Sequence, residues 1–312
     1  MNSFKLLLLS FVASCMLLIN YSATAVNDKP ASSMTLGACT PGDQVIKSLL
    51  GLPADKAIDF IRWEIVLNEN SANSGSFIVN INYGLSQPNT LGFVAGGEKQ
   101  NMTGSYMVSK SRDARLNGDV YRLKQADGNT LAFIKLNDNL FHLLDPADHL
   151  ISGDAGWSYT LNRRETVAVP ASLPALVSFS SLPADTSREI IYEGRTPCME
   201  IAGAYNMQAA EGCFKLKWKL TLKRNPSSPL SGAYTLNRTM ARDAPLEGKW
   251  ILKHSDTNPE AMVYQLDPDK PAQTLSFLIG DENLLFFLDK NNKLFTGNND
   301  FSYTLNRRKK ML

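Results

Sequence analysis

From residue 214 the chain alternates apolar and polar positions. Phe214, Leu216, Trp218, Leu220 and Leu222 fall on one side, and Lys215, Lys217, Lys219 and Thr221 on the other. This period of two predicts an antiparallel strand with one face buried and one in water. Asn225-Pro-Ser-Ser-Pro229 ends it, because a proline cannot donate to a ladder. Further strands are predicted at 232–237, 249–253, 262–266, 274–279, 284–288, 294–295 and 301–306, separated by turns rich in Asp, Asn, Pro and Gly. In the first half, 60–67 carries Trp63 where the later strand carries Trp218. Short helices are expected only before these two tryptophan strands, at 43–50 and 198–204. With loops this short, neighbours in sequence are neighbours in space. Seven or eight such strands close into an up-and-down barrel and so remove exposed edges.

The pattern occurs twice. SYTLNRR stands at 158–164 and again at 302–308, an offset of 144, and the upstream stretches 139–145 and 283–289 match in the same register. The predicted class is all-β: two tandem up-and-down antiparallel barrels at 34–164 and 190–308, joined by a Pro-, Ser- and Ala-rich linker at 165–189. Gly104-Ser-Tyr106 through Gly118 pairs with Gly232-Ala-Tyr234 through Gly248, which makes the first copy longer after its tryptophan strand. The surplus is expected to hold an extra strand at 77–83 and a mobile loop at 91–99 containing Gly96-Gly97.

Residues 1–25 have the form of a signal peptide: Lys5, an apolar run at 6–19 and a small-x-small site at Ala23-Thr24-Ala25. Val12-Ala13-Ser14-Cys15 offers the alternative of a lipoprotein anchored through Cys15, although the apolar run continues past that cysteine. An exported, periplasmic or outer-membrane-associated protein is expected, touching a membrane only if lipidated. The formal net charge is +2 with no basic stripe, which argues against a nucleic-acid partner.

Candidate chemistry is sparse. Cys198 opens the second short helix and Cys213 begins the strand after it, placed for a disulfide that pins helix to barrel. Cys39 occupies the place of Cys198 in the first copy, with the partner position near apolar Ile58, so it is expected as an unpaired thiol, buried or reactive. Of the three histidines, His142 sits in a leucine-rich strand, aligned with Phe286 of the other copy, and is expected to lie in a core or line a barrel, or alternatively to touch a ligand. Trp63 and Trp218 are expected to close the barrel floors, or alternatively to touch a ligand. The matched Asp145 and Asp289 each end a strand and suit turn capping. No zinc spacing, nucleophile elbow or phosphate loop occurs, so no metal, cofactor or catalytic residue is nominated, and the chain is expected not to be an enzyme.

Glu193-Gly-Arg-Thr-Pro-Cys198, the helix and tryptophan strand, Gly232-x-Tyr234, Gly248-Lys-Trp250 and the final Tyr-x-Leu-Asn-Arg together resemble the NlpE family. The resemblance covers 190–308 and, more weakly, 35–164. It implies a bacterial envelope protein linked to copper resistance and outer-membrane stress signalling, built on lipocalin-like barrels. The family's Cys-x-x-Cys pair is absent: Cys198-Met-Glu-Ile201 and Cys39-Thr-Pro-Gly42 each keep only the first cysteine, so metal sensing does not carry over. The expected function is a non-enzymatic envelope protein whose duplicated barrel binds an apolar small molecule or an envelope-protein partner. The alternative is an envelope-stress or redox (copper-response) sensor using Cys39. If residues such as Phe277, Phe286 and Phe287 fill the barrel interior, function moves to the surface, above all to 68–100.

Overall fold

The computed structural model describes residues 32–125, 128–168, 187–205, 207, 209, 211–225, 227–239 and 244–309. The expected signal segment with Cys15 and most of the expected linker lie outside them. The first barrel runs β1 (Ser33–Pro41), β2 (Phe60–Ser71), β3 (Ser74–Gly84), β4 (Glu98–Lys110), β5 (Asp119–Gln125), β6 (Thr130–Lys135), β7 (Leu140–Leu144) and β8 (Thr160–Arg163). Helix α1 (Gln44–Leu49) lies between β1 and β2. The second barrel runs β9 (Glu189–Thr196), β10 (Leu216–Asn225), β11 (Ser228–Arg238), β12 (Leu246–His254), β13 (Met262–Leu266), β14 (Leu275–Asp281), β15 (Leu284–Leu288) and β16 (Thr304–Arg307), with α2 (Met199–Ala204) between β9 and β10. Each barrel is closed, antiparallel and eight-stranded, in sequence order. Two lipocalin-like barrels therefore stand in tandem.

The closing strand of each barrel is the one before its helix. β1 pairs with both β2 and β8, and β9 with both β10 and β16. Neither strand stands out by hydrophobicity. In β9 the inward positions are Ile190, Tyr192, Gly194 and Thr196, and the small residues hide the alternation. Gly194 is required there, since a Cβ would meet Thr304 O at 2.6 Å. Residues 294–295 form only an isolated bridge, between Leu294 and Leu288. Phe214 precedes β10 and is 45% exposed, while Leu216, Trp218, Leu220 and Leu222 point inward as the alternation predicts.

The two copies align strand for strand, which changes the reading of the first. Trp63 Nε1 donates to Thr40 Oγ1 at 2.8 Å, and Trp218 Nε1 donates to Thr196 Oγ1 at 2.9 Å. That register places Gly42 opposite Cys198, Ile58 opposite Cys213 and Cys39 opposite Arg195, three residues from the expected match. In β3 and β4, a Cβ on Gly75 would meet the Tyr106 ring at 2.6 Å and one on Gly104 the Phe77 ring at 2.9 Å. In β11 and β12, Gly232 stands 2.7 Å from Trp250 Nε1 and Gly248 2.8 Å from the Tyr234 ring in the same sense. Gly104-Ser-Tyr106 is thus the counterpart of Gly248-Lys-Trp250, not of Gly232-Ala-Tyr234. Strand β3 is an ordinary member of the barrel, and the extra length of the first copy falls at the β3–β4 hairpin, partly in its loop, 85–97, and partly in longer strands.

Alternation along β7 divides two cores. Phe141 and Leu143 face the first barrel's interior. Leu140, His142 and Leu144 face outward onto the second barrel, where Val263, Leu278, Leu284, Phe286 and Leu288 meet them. This apolar seam is flanked by the repeated motif pairing with itself: Ser158 Oγ lies 2.5 Å from Ser302 Oγ, and Thr160 Oγ1 2.8 Å from Thr304 Oγ1. Asn162 accepts from Gly297 N and donates to Asn298 O, while Asn306 accepts from Gly153 N and donates to Asp154 O. Contacts exchanged in both directions are the mark of a two-fold interface.

Candidate functional site

The end of each barrel next to its helix is sealed. Asp43 caps α1 by accepting from Val45 N and Ile46 N, which holds Ile46 and Leu50 in the first core. Trp63 and Trp218 are fully buried behind the helices, 1% and 3% exposed, where they pack the barrel floors. In the second barrel Cys198 and Cys213 form a disulfide with a Cα–Cα distance of 5.8 Å, fixing the start of α2 to the segment before β10. The first barrel places Gly42 against Ile58 instead, 2.3 Å from where a Cβ would lie.

The opposite ends differ. In the first barrel a cavity of about 200 Å³ opens among Met34, Leu67, Tyr106, Val108, Tyr121 and Phe141, with Glu69, Lys135, Asp138 and Arg163 at its rim. Tyr121 stacks on Phe133 at 5.6 Å and meets Phe141 edge-on, so an aromatic floor underlies the mouth. Four aligned positions at this end of the second barrel carry larger or more apolar side chains. Trp250 replaces Tyr106, Leu252 replaces Val108, Ile279 replaces Lys135 and Tyr192 replaces Leu36, all 7% exposed or less. Tyr192 also donates its hydroxyl to Glu282 O across that end. One copy has a mouth, and in the other these buried side chains pack over the same place.

A second cleft of about 200 Å³ lies where the barrels meet, beside the 85–97 loop. Phe60 stacks on Phe93 of that loop at 4.1 Å and on Trp157 at 4.8 Å. Arg195 from the second barrel covers the Trp157 ring at 5.1 Å. Arg62 donates to Asp300 Oδ1 at 2.8 Å and to Leu91 O at 2.5 Å, tying the loop to both barrels. Arg195 and Lys215 complete the wall; among the described residues neither makes an ion pair, although the Asp154 carboxylate near Arg195 opposes the effect of its burial. Burial lowers both cations below their ordinary values, with each other's charge adding to the effect at Lys215.

Cys39 lies in this wall, 6% exposed, with Sγ 3.6 Å from Asn299 O. Burial pushes its thiol up to about 12, against the opposing pull of Arg62. That is the reverse of the lowered pKa that marks a reactive cysteine. His142 lines the seam between the barrels and not a barrel interior. Its Nε2 lies 2.9 Å from Ile151 O and its Nδ1 3.0 Å from Thr160 Oγ1, and burial holds it down at about 4. Phe286 likewise faces the seam, whereas Phe277 and Phe287 fill the second interior. Asp145 and Asp289 are turn caps with identical patterns, accepting from Ala147 N and His149 N, and from Asn291 N and Lys293 N.

Arg195, Lys215, Trp157 and Tyr106 were not legible as site residues. Arg195 falls on the outward face of a closing strand that carries little periodic signal, and Trp157 in an irregular turn. Only the Cys39/Arg195 register could have pointed to them. Among the described residues no group of three or more His, Cys, Asp or Glu side chains is arranged to hold a metal ion. No family model, curated protein or solved structure matches the chain.

Proposed function

We propose that this is a non-enzymatic ligand-binding protein of a bacterial envelope, in which the first barrel receives a small apolar molecule through its open end. The second barrel serves as a packed partner. The observation that carries this reading is the difference between aligned ends: an aromatic-floored cavity around Tyr106 and Tyr121 in one barrel, and Trp250, Leu252, Ile279 and Tyr192 packed over the same place in the other. Natural small-molecule sites are concave and join apolar surface to a few placed polar groups, and this mouth sets an aromatic floor beneath a polar, charged rim. Its size suits a single small ring or the end of an acyl chain. The export segment and the NlpE-like motif order support the envelope setting. The sensor alternative draws less support, because Cys39 is buried with its thiol held protonated.

The test is native mass spectrometry of the full protein taken gently from its own envelope, beside a Tyr106→Trp variant. Expected is an extra mass that leaves on denaturation and is missing from the variant, whose indole fills the mouth as Trp250 does. A clean apo mass in the unaltered protein, or equal retention by both, overturns the proposal.

A further inference from the structure

We propose that the cleft between the barrels is a second, separate binding site, and that it takes a small organic carboxylate with a flat apolar body. The site is assembled from both repeats and the 85–97 loop, so neither barrel possesses it alone.

The charge balance of the wall is the first argument. Arg62, Arg195 and Lys215 face the cleft, and Asp300 is the carboxylate among its lining residues. Asp300 is engaged by Arg62. Arg195 is left with a buried Nε that meets no acceptor. Asp154 lies in the neighbourhood, but its Oδ1 accepts from Gly156 N at 2.6 Å and Trp157 N at 2.8 Å, and it makes no ion pair with Arg195. Arg195 is half-buried, and a guanidinium whose Nε is cut off from water without an acceptor gains from an anion brought to it. Lys215, the other free cation of the wall, stands on the same side.

The shape of the wall is the second argument. A guanidinium presents a planar fork of donors, which matches the two oxygens of a carboxylate better than a point charge does. Trp157 holds that fork by its face, and Phe60 and Phe93 continue the stack behind it. Phe301 brings a further ring from the second barrel. The edges of the stacked Phe60 and Trp157 rings and Phe301 give an apolar wall beside a planar donor group, which favours an organic carboxylate over a compact inorganic ion. The volume excludes a polymer.

The third argument concerns the loop. 29 positions separate Gly75 from Gly104 but only 16 separate Gly232 from Gly248, so the first copy has gained 13 residues. They fall at the β3–β4 hairpin, shared between longer strands and the 85–97 loop that walls this cleft, with Phe93 stacked on Phe60 and Leu91 O held by Arg62. The duplication thus acquired an unsymmetrical addition at the place where an unpaired cation faces a cavity.

The experiment uses the full mature chain, with tryptophan fluorescence and calorimetry as readouts and three probes: benzoate, its neutral isostere benzamide, and inorganic phosphate. Expected is saturable benzoate binding that changes the fluorescence of Trp157, with benzamide and phosphate each at least tenfold weaker. Arg195→Gln and Lys215→Gln are each expected to weaken benzoate at least tenfold. Neither removes a residue from a core cluster, and the benzamide comparison needs no variant at all. No benzoate binding, equal binding of benzamide, or phosphate binding as tightly as benzoate overturns the proposal. Tyr106→Trp separates the two cavities: unchanged benzoate affinity in that variant places the ligand in the seam, and its loss there overturns the proposal by placing it in the barrel mouth.

Discussion

Thr160 Oγ1 lies 2.8 Å from Thr304 Oγ1, so each residue touches its own duplicate across the seam. The direction of the bond follows from the neighbouring imidazole. Nε2 of His142 faces a carbonyl and must carry the proton, so Nδ1 accepts from the Thr160 hydroxyl, and Thr160 in turn accepts from Thr304. SYTLNRR is therefore kept twice in this chain for packing: its Ser, Thr and Asn side chains make the interface between the barrels.

The reciprocal asparagines give the seam a testable symmetry. Asn162→Ala strands the N–H of Gly297, and Asn306→Ala strands that of Gly153. Leaving a buried donor unpaired costs about 1–3 kcal/mol. The two variants are expected to lose similar amounts in urea unfolding, and an effect confined to one of them would refute the two-fold reading.

His142 makes stability depend on pH in a defined direction. Unfolded, its imidazole takes a proton near 6.5; folded and buried, only at about 4. The unfolded chain therefore binds this proton more readily, and the contribution of His142 to stability is full above pH 6.5, falls as pH drops toward 4, and levels off below, while Asp281, raised to about 6 by burial, acts in the opposite direction. The loss is on the order of 3 kcal/mol by linkage. His142→Phe, which places at 142 the residue that the second copy has at 286, should flatten this slope. Urea midpoints measured at half-unit steps between pH 7 and 4 decide the matter; an unchanged slope would place the proton elsewhere.

Much of the barrel architecture was legible in the sequence because inward leucines and aromatics repeat with period two. The strands missed were β1 and β9, where glycine, alanine and threonine occupy the inward side because another backbone passes close by. The tryptophan strands anchored the alignment correctly, but Gly104-Ser-Tyr106 was matched one strand early. A glycine followed two residues later by an aromatic ring marks a crowded crossing that each barrel makes twice, at Gly75 and Gly104 and at Gly232 and Gly248, so the motif alone does not fix which strand carries it. The faces of β7 and β15 were harder still. All five residues of each are buried, and a strand covered on both sides shows no alternation to assign His142 or Phe286 to seam or interior. The site residues at the barrel junction depend on contacts between positions over 100 apart, such as Arg62 with Asp300, which local pattern does not carry.

Cys39 should be inert while the protein is folded. Burial takes its thiol from 9.0 to about 12, which at any working pH reduces the thiolate about a thousandfold. Alkylation by iodoacetamide at pH 8 is expected to proceed only as fast as the protein opens, and to become rapid in urea. Labelling of the native protein at the rate of a free thiol would restore the redox-sensor reading.

The disulfide tests whether the barrels fold as one body. Cys198 and Cys213 are separated by 15 positions, and closing a loop of that length stabilises by about 3 kcal/mol in the chain-entropy estimate. The bridge belongs to the second barrel alone, yet Leu278, Leu284, Phe286 and Leu288 of that barrel cover Val120, Ile134, Leu140 and Leu144 of the first. Unfolding the second barrel would leave this apolar face in water, and a large hydrophobic interface of this kind couples its two sides. A Cys198→Ser, Cys213→Ser variant is accordingly expected to show one unfolding transition, displaced as a whole to lower denaturant. Calorimetry and urea denaturation followed by tryptophan fluorescence both report it. Two separated transitions, with only one of them moved, would mean that the seam contributes less than either barrel's own core.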